Sequence, residues 1–418
     1  MAKLLNIKFI KKLIALSGPG FLVAVGYMDP GNWATDIAGG SQFGYQLLSV
    51  ILISNVMAMI LQHLAIKLGI TTNQDLAEAC KKNYSLTTSF FLWILAEIAI
   101  IACDLAEIIG AAIAIQLLFG LPIIIGVLIT SLDVLLLLLL QKKNTNTIEI
   151  IVFSLVFIIF VSFLFEMYVS KPDFHLIVRN LIPTKNIFQN KEMLYLAIGI
   201  LGATVMPHNL YLHSALVKDK VIKSKGKRKG EFIKLLTTNS NIALFIASIV
   251  NASILIVASA TFNRYGHFYV SEIQDAYKLL TPILGNSLAP IVFAIALLAS
   301  GHSSTITGTI AGQVVMEGFV NIKIPAWKRR IITRFSAIIP AIICIAIYGE
   351  HSLTKLLILS QVVLSLQLPF AVIPLVKFTS SKKIMRKFAN TQTLNFISVI
   401  IAAVIITLNL ILVTQVFA

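Results

Sequence analysis

Apolar residues run along this chain in long unbroken blocks, each closed by a short polar stretch. Blocks such as "IIIGVLITSLDVLLLLLL" and "IIVFSLVFIIFVSFLF" approach or reach the ~20 residues a helix needs to cross ~30 Å of hydrocarbon. A membrane barrel would instead alternate apolar and polar residues over ~10-residue strands. The pattern predicts about eleven membrane helices, at roughly 14–40, 44–67, 86–117, 121–141, 147–169, 193–217, 231–261, 286–318, 328–348, 353–378 and 392–417. Two of these spans are interrupted. The first carries Asp29, Pro30, Gly31 and Asn32 in a row, and the sixth, "MLYLAIGILGATVMPHNLYLHSALV", has Pro207 in its middle. Met193 to Val205 makes ~20 Å of helix, too short to cross alone. Proline removes a backbone donor and clashes one turn back, so a break is expected near Ala203–Pro207.

The interrupted spans lie five apart. Interrupted helices at matching positions of two halves point to an inverted-repeat transporter with its site at the bilayer midplane. Two unrelated proline kinks are the plainer alternative; polar or soft ligand atoms at both breaks weigh against it. The predicted architecture is all-α and polytopic. A first repeat covers 1–169, a loop 170–192, a second repeat 193–378, and a loop with an eleventh helix 379–418.

Composition agrees with a membrane protein. The 418 residues are 57% hydrophobic and 12% charged, against ~25% charged in a soluble domain. The net charge of +16 does not mark a nucleic-acid binder, because the basic residues sit in short loops between apolar runs. With the N-terminus placed in the cytoplasm, 27 of the 34 lysines and arginines fall inside, leaving Lys171, Arg179, Lys185, Lys191, Arg264, Lys278 and Lys355 outside. That asymmetry predicts a cytoplasmic N-terminus and, with an odd number of spans, an extracytoplasmic C-terminus. The basic loop "VKDKVIKSKGKRKGEF" is read as a topology anchor in preference to a lipid-binding or regulatory element. The start, "KLLNIKFIKKLIALSGPGFLVAV", mimics a signal peptide, but no small-residue cleavage site follows, and a retained first helix is expected. Cys80, Cys103 and Cys344 have neither metal-type spacing nor the look of a disulfide framework.

The two breaks offer a definite chemistry. Asp29 brings a carboxylate and Asn32 an amide oxygen; unwinding at the sixth span frees the carbonyl of Ala203, and Met206 adds a thioether. A charge at the bilayer centre costs at least ~2.5–3.5 kcal/mol, so Asp29 needs a partner. No basic residue lies in either break, and a cation is the natural one. Oxygen ligands alone suit Mg²⁺, Ca²⁺ or Na⁺. A thioether among them shifts the preference to first-row divalent ions or Cd²⁺, unless Met206 merely fills the core. In the third span Glu97, Asp104 and Glu107 are spaced by seven and three residues. They therefore share about a quarter of the helix circumference. Arg329, Arg330 and Arg334 at the start of the ninth span are their expected partners, either as a proton route or as ion pairs that lock the two helices. His208, next to Pro207, is suited to relay protons between Asp29 and this strip.

His213 is read as packing, Asp133 as facing the bundle interior, and Asn251 as supporting Asp29 or bonding a neighbour. The stretch "ASGHSSTITGTIAG" is read as close helix packing, not as a substrate contact.

The motifs "GPGFLVAVGYMDPGN" and "GATVMPHN" together resemble the paired signature of the Nramp family of divalent-metal transporters. The resemblance continues through "LQHLAIKLGITTNQDLAEAC", "AEIAIIACDLAEIIGAAIAI", "SLDVLLLLLL", "LLASGHSSTITGTIAGQVVMEGF", "RRIITRFSAIIPA" and "LSQVVLSLQLPFAVIPL", nearly the whole chain. His302 departs from it, standing where the family commonly carries Gln. The resemblance implies a LeuT-like fold and proton-linked import of Mn²⁺ or Fe²⁺ across a cell membrane, the inner membrane in a bacterium. It implies metal ligation by the side chains of Asp29, Asn32 and Met206 and the carbonyl of Ala203. Gln361 matches a position that approaches the metal in some conformations. A Mg²⁺-transporting relative of the family lacks the Met signature, so Met206 argues for the transition-metal branch. No cofactor is expected beyond the transported ion, and no partner beyond metal ions, protons and lipid. The competing readings are a metal-dependent membrane enzyme, for which no catalytic motif is present, an ion channel, and a sodium-coupled carrier of amino acids or other organic solutes. In that last case Asp29 would repel the substrate carboxylate.

Overall fold

The computed structural model describes residues 18–130, 145–223, 229–268, 270, 272–321, 324–349 and 352–417. Among them helices account for nearly all regular structure, and no strand is present. Eight helical stretches among the described residues are long and apolar enough to cross a membrane, the end of the first span and the second running on as one stretch, Pro30–Thr72.

The helices follow the apolar blocks closely. The second span is Leu48–Thr72, the third Leu86–Phe119, the fifth Thr145–Ser170, the seventh Lys229–Thr261 and the eighth Ala289–Val320. The ninth is Ala326–Tyr348, the tenth Leu353–Ser380 and the eleventh Gln392–Phe417. The fourth is described only over 123–130, and Asp133 lies outside the described residues. The 34-residue third helix begins at Ser85, whose side chain accepts from the Thr88 N–H, and ends at Gly120 with φ 68°. These are the cap types that favour an N- and a C-terminus.

Both predicted interruptions are present. The first span is two helices, Gly18–Gly26 and Pro30–Phe43; the sixth is Lys191–Thr204 and Pro207–Lys223. Some details differ from the sequence reading. Residues Gly44–Leu47 form a 3-10 turn, so the second helix starts later than expected. Ile273–Leu284, between the seventh and eighth spans, is an additional helix; at twelve residues it is too short to register as a span.

Burial sorts the helices into layers. Of the most apolar stretch of the sixth span 94% is buried, and of the third 89%, against 33% for the fifth and 28% for the eleventh. The broken helices thus sit at the centre. The outer helices present residues such as Phe153, Phe157, Leu164, Phe396 and Val399 outward, as a lipid-facing surface requires.

Candidate metal site

Side chains hold the first break open. Asp29 is extended (φ −69°, ψ 163°) and caps the helix that follows, its Oδ1 accepting from the Asn32 backbone N–H at 2.9 Å. Pro30 takes the first helical position, where a missing N–H costs nothing. The Asn32 side-chain amide donates to the Tyr27 carbonyl at 2.7 Å, and Asn251 of the seventh span donates to the same carbonyl at 2.7 Å. Asn251 therefore braces the unwound backbone. Ser300 of the eighth span donates to the Met28 carbonyl. These bonds use up donors and leave acceptors: Asp29 Oδ2 and Asn32 Oδ1 are buried with no partner.

At the sixth break the helix ends at Thr204 and restarts at Pro207. The residue four beyond Ala203 is Pro207, which has no N–H to return to the Ala203 carbonyl. Met206 is fully buried and packs with Ala102 and Cys103 of the third span and Leu364 of the tenth.

Two side chains join the breaks. Asn209 places its amide nitrogen 3.7 Å from Met206 Sδ and 3.5 Å from the Val23 carbonyl. Gln361 lies directly over Gly31: a Cβ on Gly31 would stand 1.7 Å from Gln361 Nε2, and one on Gly202 would stand 2.2 Å from the Gln361 carbonyl. Glycine at both positions lets the tenth helix press on both interruptions. Gln361 Nε2 donates to Ser360 Oγ at 3.0 Å, while its Oε1 is buried and unpartnered. The structure thus brings Asp29, Asn32, Ala203, Met206 and Gln361 to one buried place. They offer a carboxylate oxygen and two amide oxygens without partners, a carbonyl, and a thioether whose contact is the Asn209 amide, all acceptors. Among the described residues no group of three or more His, Cys, Asp or Glu gathers as a metal site. The set lacks the ligands of a tight structural zinc centre and suits a cargo that has to leave.

The acidic strip lies beside this site, and each of its three acids is ion-paired. Arg329 donates to both Glu97 oxygens at 2.9 and 2.7 Å. Arg330 bridges Asp104 and Glu107, the latter at 3.1 Å. Arg334 donates to Thr305 Oγ1 at 2.8 Å and stands 3.8 Å from Glu107. Thr305 Oγ1 donates in turn to Glu107 at 2.9 Å. The Gly/Ser/Thr-rich eighth span does pack closely, since a Cβ on Gly301 would meet the Ala111 Cβ at 3.0 Å. Through Ser300 and Thr305 it also bonds the first break and the strip. His302 bonds the Leu298 carbonyl through Nδ1 at 2.9 Å.

Cys103 is the residue that sequence reasoning passed over. Its thiol donates to Glu107 at 3.6 Å and lies 3.9 Å from His208 Nε2, linking the histidine to the strip. The available signal was its position four residues before Glu107, on the same helix face. His213 turns out to be hydrogen-bonded as well as packed: its Nδ1 meets Gln62 Oε1 at 2.8 Å, and Gln62 donates to the Tyr27 hydroxyl at 2.8 Å.

Two broken helices crossing at a buried set of unpartnered acceptors, inside an all-helical bundle, define a transporter of LeuT-like fold. The chain belongs to the Nramp family. Residues 20–415 match the family described as natural resistance-associated macrophage protein-like. A divalent metal cation transporter, MntH, from Nostoc sp. is 56% identical over 401 residues, covering 96% of this chain and 91% of the relative. The crystal structure of the Eremococcus coleocola manganese transporter with an aromatic bis-isothiourea compound is 42% identical, with a TM-score of 0.88, covering 97% of this chain and 87% of that one. MhsT in complex with L-phenylalanine is 14% identical with a TM-score of 0.63, covering 93% and 98%, a likeness of fold alone. The organic-solute alternative is therefore not favoured. The protein is a membrane transport protein and not an enzyme.

Proposed function

We propose that this protein imports divalent transition-metal ions, Mn²⁺ or Fe²⁺ with Cd²⁺ as a mimic, by alternating access and in company with protons. The observation that carries the reading is the convergence of unpartnered acceptors at the two breaks. A buried carboxylate oxygen and two amide oxygens have no donor to face, a freed carbonyl and a sulfur touched only by the Asn209 amide stand beside them, and a partly dehydrated cation satisfies all of them together. The sulfur favours a borderline or soft ion over Ca²⁺ and Mg²⁺. One carboxylate leaves residual positive charge on a divalent ion, so the ion is held without being trapped. The ligands come from both broken helices and from the tenth. Rocking of these elements about the site exposes the ion to either side in turn.

The distribution of basic loops supports a cytoplasmic N-terminus and an extracytoplasmic C-terminus. Moving a divalent ion inward across ~100 mV, inside negative, releases ~4.6 kcal/mol, twice the ~2.3 kcal/mol per unit charge. Protons are then not required as the energy source; they compensate charge at Asp29 as the metal arrives. The proposed proton route runs from His208 through Cys103 to Glu107, then along the Arg330–Asp104 and Arg329–Glu97 pairs.

Two experiments test this reading. Met206→Ala in proteoliposomes should weaken Cd²⁺ uptake by about tenfold or more, Mn²⁺ uptake less, and let Ca²⁺ compete better. Unchanged selectivity would return Met206 to a packing role. His208→Ala should suppress metal-evoked acidification of the vesicle interior while Mn²⁺ binding persists. Proton flux equal to that of the parent protein would break the relay.

A further inference from the structure

Asp36 is a second carboxylate in the first span that the site above does not use. It is 2% exposed, and its Oδ2 has no hydrogen-bond partner. Its facing direction follows from the packing around it. In the helix Pro30–Phe43 it stands four residues after Asn32 and seven after Asp29, so it shares their face, ~6 Å further along from Asn32. On the next turn Gly39 and Gly40 both abut Leu255: a Cβ on Gly40 would lie 2.5 Å from the Leu255 carbonyl, and one on Gly39 3.8 Å from its side chain. The first and seventh spans run parallel here, since Gly20 meets Ser240, Tyr27 meets Asn251 and Gly40 meets Leu255. Asp36 sits one turn before the Leu255 contact on its own helix, and Asn251 one turn before Leu255 on the other. Gly40 seats among Leu255, Ala258 and Ser259 and Asn251 bonds at the level of Asn32, so Asp36, between Asn32 and Gly40, faces the turn Asn251–Leu255.

Asn251 gives its amide N–H to the Tyr27 carbonyl beside Asn32. Its Oδ1 is buried without a partner, as is Asn32 Oδ1. One seam thus carries a carboxylate oxygen and two amide oxygens with no donor among them. Asp36 is also within electrostatic reach of Asp29. A membrane-buried carboxylate without a basic partner calls for a cation.

We infer that Asp36, Asn251 and Asn32 form an outer station at which a divalent cation halts on its way from the extracellular side to the Asp29–Met206 site. The inference rests on the transport reading and membrane orientation proposed above. The station offers oxygen only, so it collects hard and soft divalent ions alike and leaves selection to Met206. Asn32 belongs to both constellations and passes the ion from one to the other.

The test compares Mn²⁺ uptake by whole cells with uptake by inside-out vesicles. Asp36→Asn should raise the KM for Mn²⁺ offered from outside roughly tenfold, as expected for removing the one charged ligand of a station the ion only passes through. The KM measured from the cytoplasmic face and the Cd²⁺ affinity of the purified protein should stay the same. External Ca²⁺ should compete with Mn²⁺ in the parent protein and compete less in Asp36→Asn, and Asp36→Glu should restore both behaviours. An unchanged external KM with unchanged Ca²⁺ competition overturns the station. So does an equal rise in KM from both faces, or loss of Cd²⁺ binding, either of which makes Asp36 part of the central site or of the helix framework. Persistent uptake by Asp29→Ala is a separate outcome that removes the Asp29–Met206 site to which the station delivers, not the station alone.

Discussion

Uptake of Mn²⁺ into proteoliposomes ceases when Asp29 is replaced by Ala, while the protein still folds and inserts. Asp29 supplies the only full negative charge among the ligands proposed for the two breaks, and its Oδ2 is one of the acceptors left without a partner. A divalent ion that sheds water to enter this site would meet only dipoles and a thioether in its absence. The same side chain caps the helix Pro30–Phe43, and losing a cap costs ~1 kcal/mol, too little to unfold the bundle. Asp29→Asn separates the two roles, because the amide oxygen keeps the cap and the charge is gone. It too should transport nothing measurable, with a melting temperature close to that of the parent. Full uptake by either variant would remove the central assignment.

The second large effect is on stability. Arg330 is 2% exposed and bridges Asp104 and Glu107, both buried. Arg330→Ala leaves two carboxylates facing each other with their shared counter-charge removed, and breaking a buried pair in this way costs ~3–5 kcal/mol. Thermal unfolding in detergent should shift down by several degrees and the yield of folded protein should fall. Adding Asp104→Asn to the same chain should recover most of the loss, since Glu107 then keeps Arg334, 3.8 Å away, as its counter-charge. The contrasting pair is Glu97 with Arg329, where the carboxylate is 18% exposed. Glu97→Gln should cost little stability, because water already reaches that end of the strip. An Arg330→Ala protein as stable as the parent would mean that the strip is not ion-paired in the membrane.

Much of the site was legible in the sequence because it is built from local exceptions. A carboxylate and a Pro-Gly pair inside an apolar run cannot continue a helix, and Pro207 cannot close the turn that begins at Ala203. Both breaks could therefore be placed to within a residue or two. The strip was legible for a related reason: three acids at spacings of seven and three must share a helix face, and only a nearby basic cluster can balance them. Cys103 was harder to see because a buried cysteine has no sequence signature of function; its role depends on His208 arriving from another helix. Asp36 was hidden in plain view, two turns beyond Asp29, because one acid in a helix could as well have met a lysine.

The sequence by itself determined that this chain is a bundle of membrane helices, which two of them are broken, and which acceptor atoms the breaks set free. Those properties follow from apolar length, from missing backbone donors and from helical periodicity, all of them local. Only the tertiary structure decided that the breaks meet, that Asn251 braces the Tyr27 carbonyl and not Asp29, that Gln361 crosses Gly31, and that Arg330 is shared between Asp104 and Glu107. The reason is that these contacts join helices up to some three hundred residues apart in the chain. Whether an acceptor ends with a donor or without one depends on which side chains the packing brings to it.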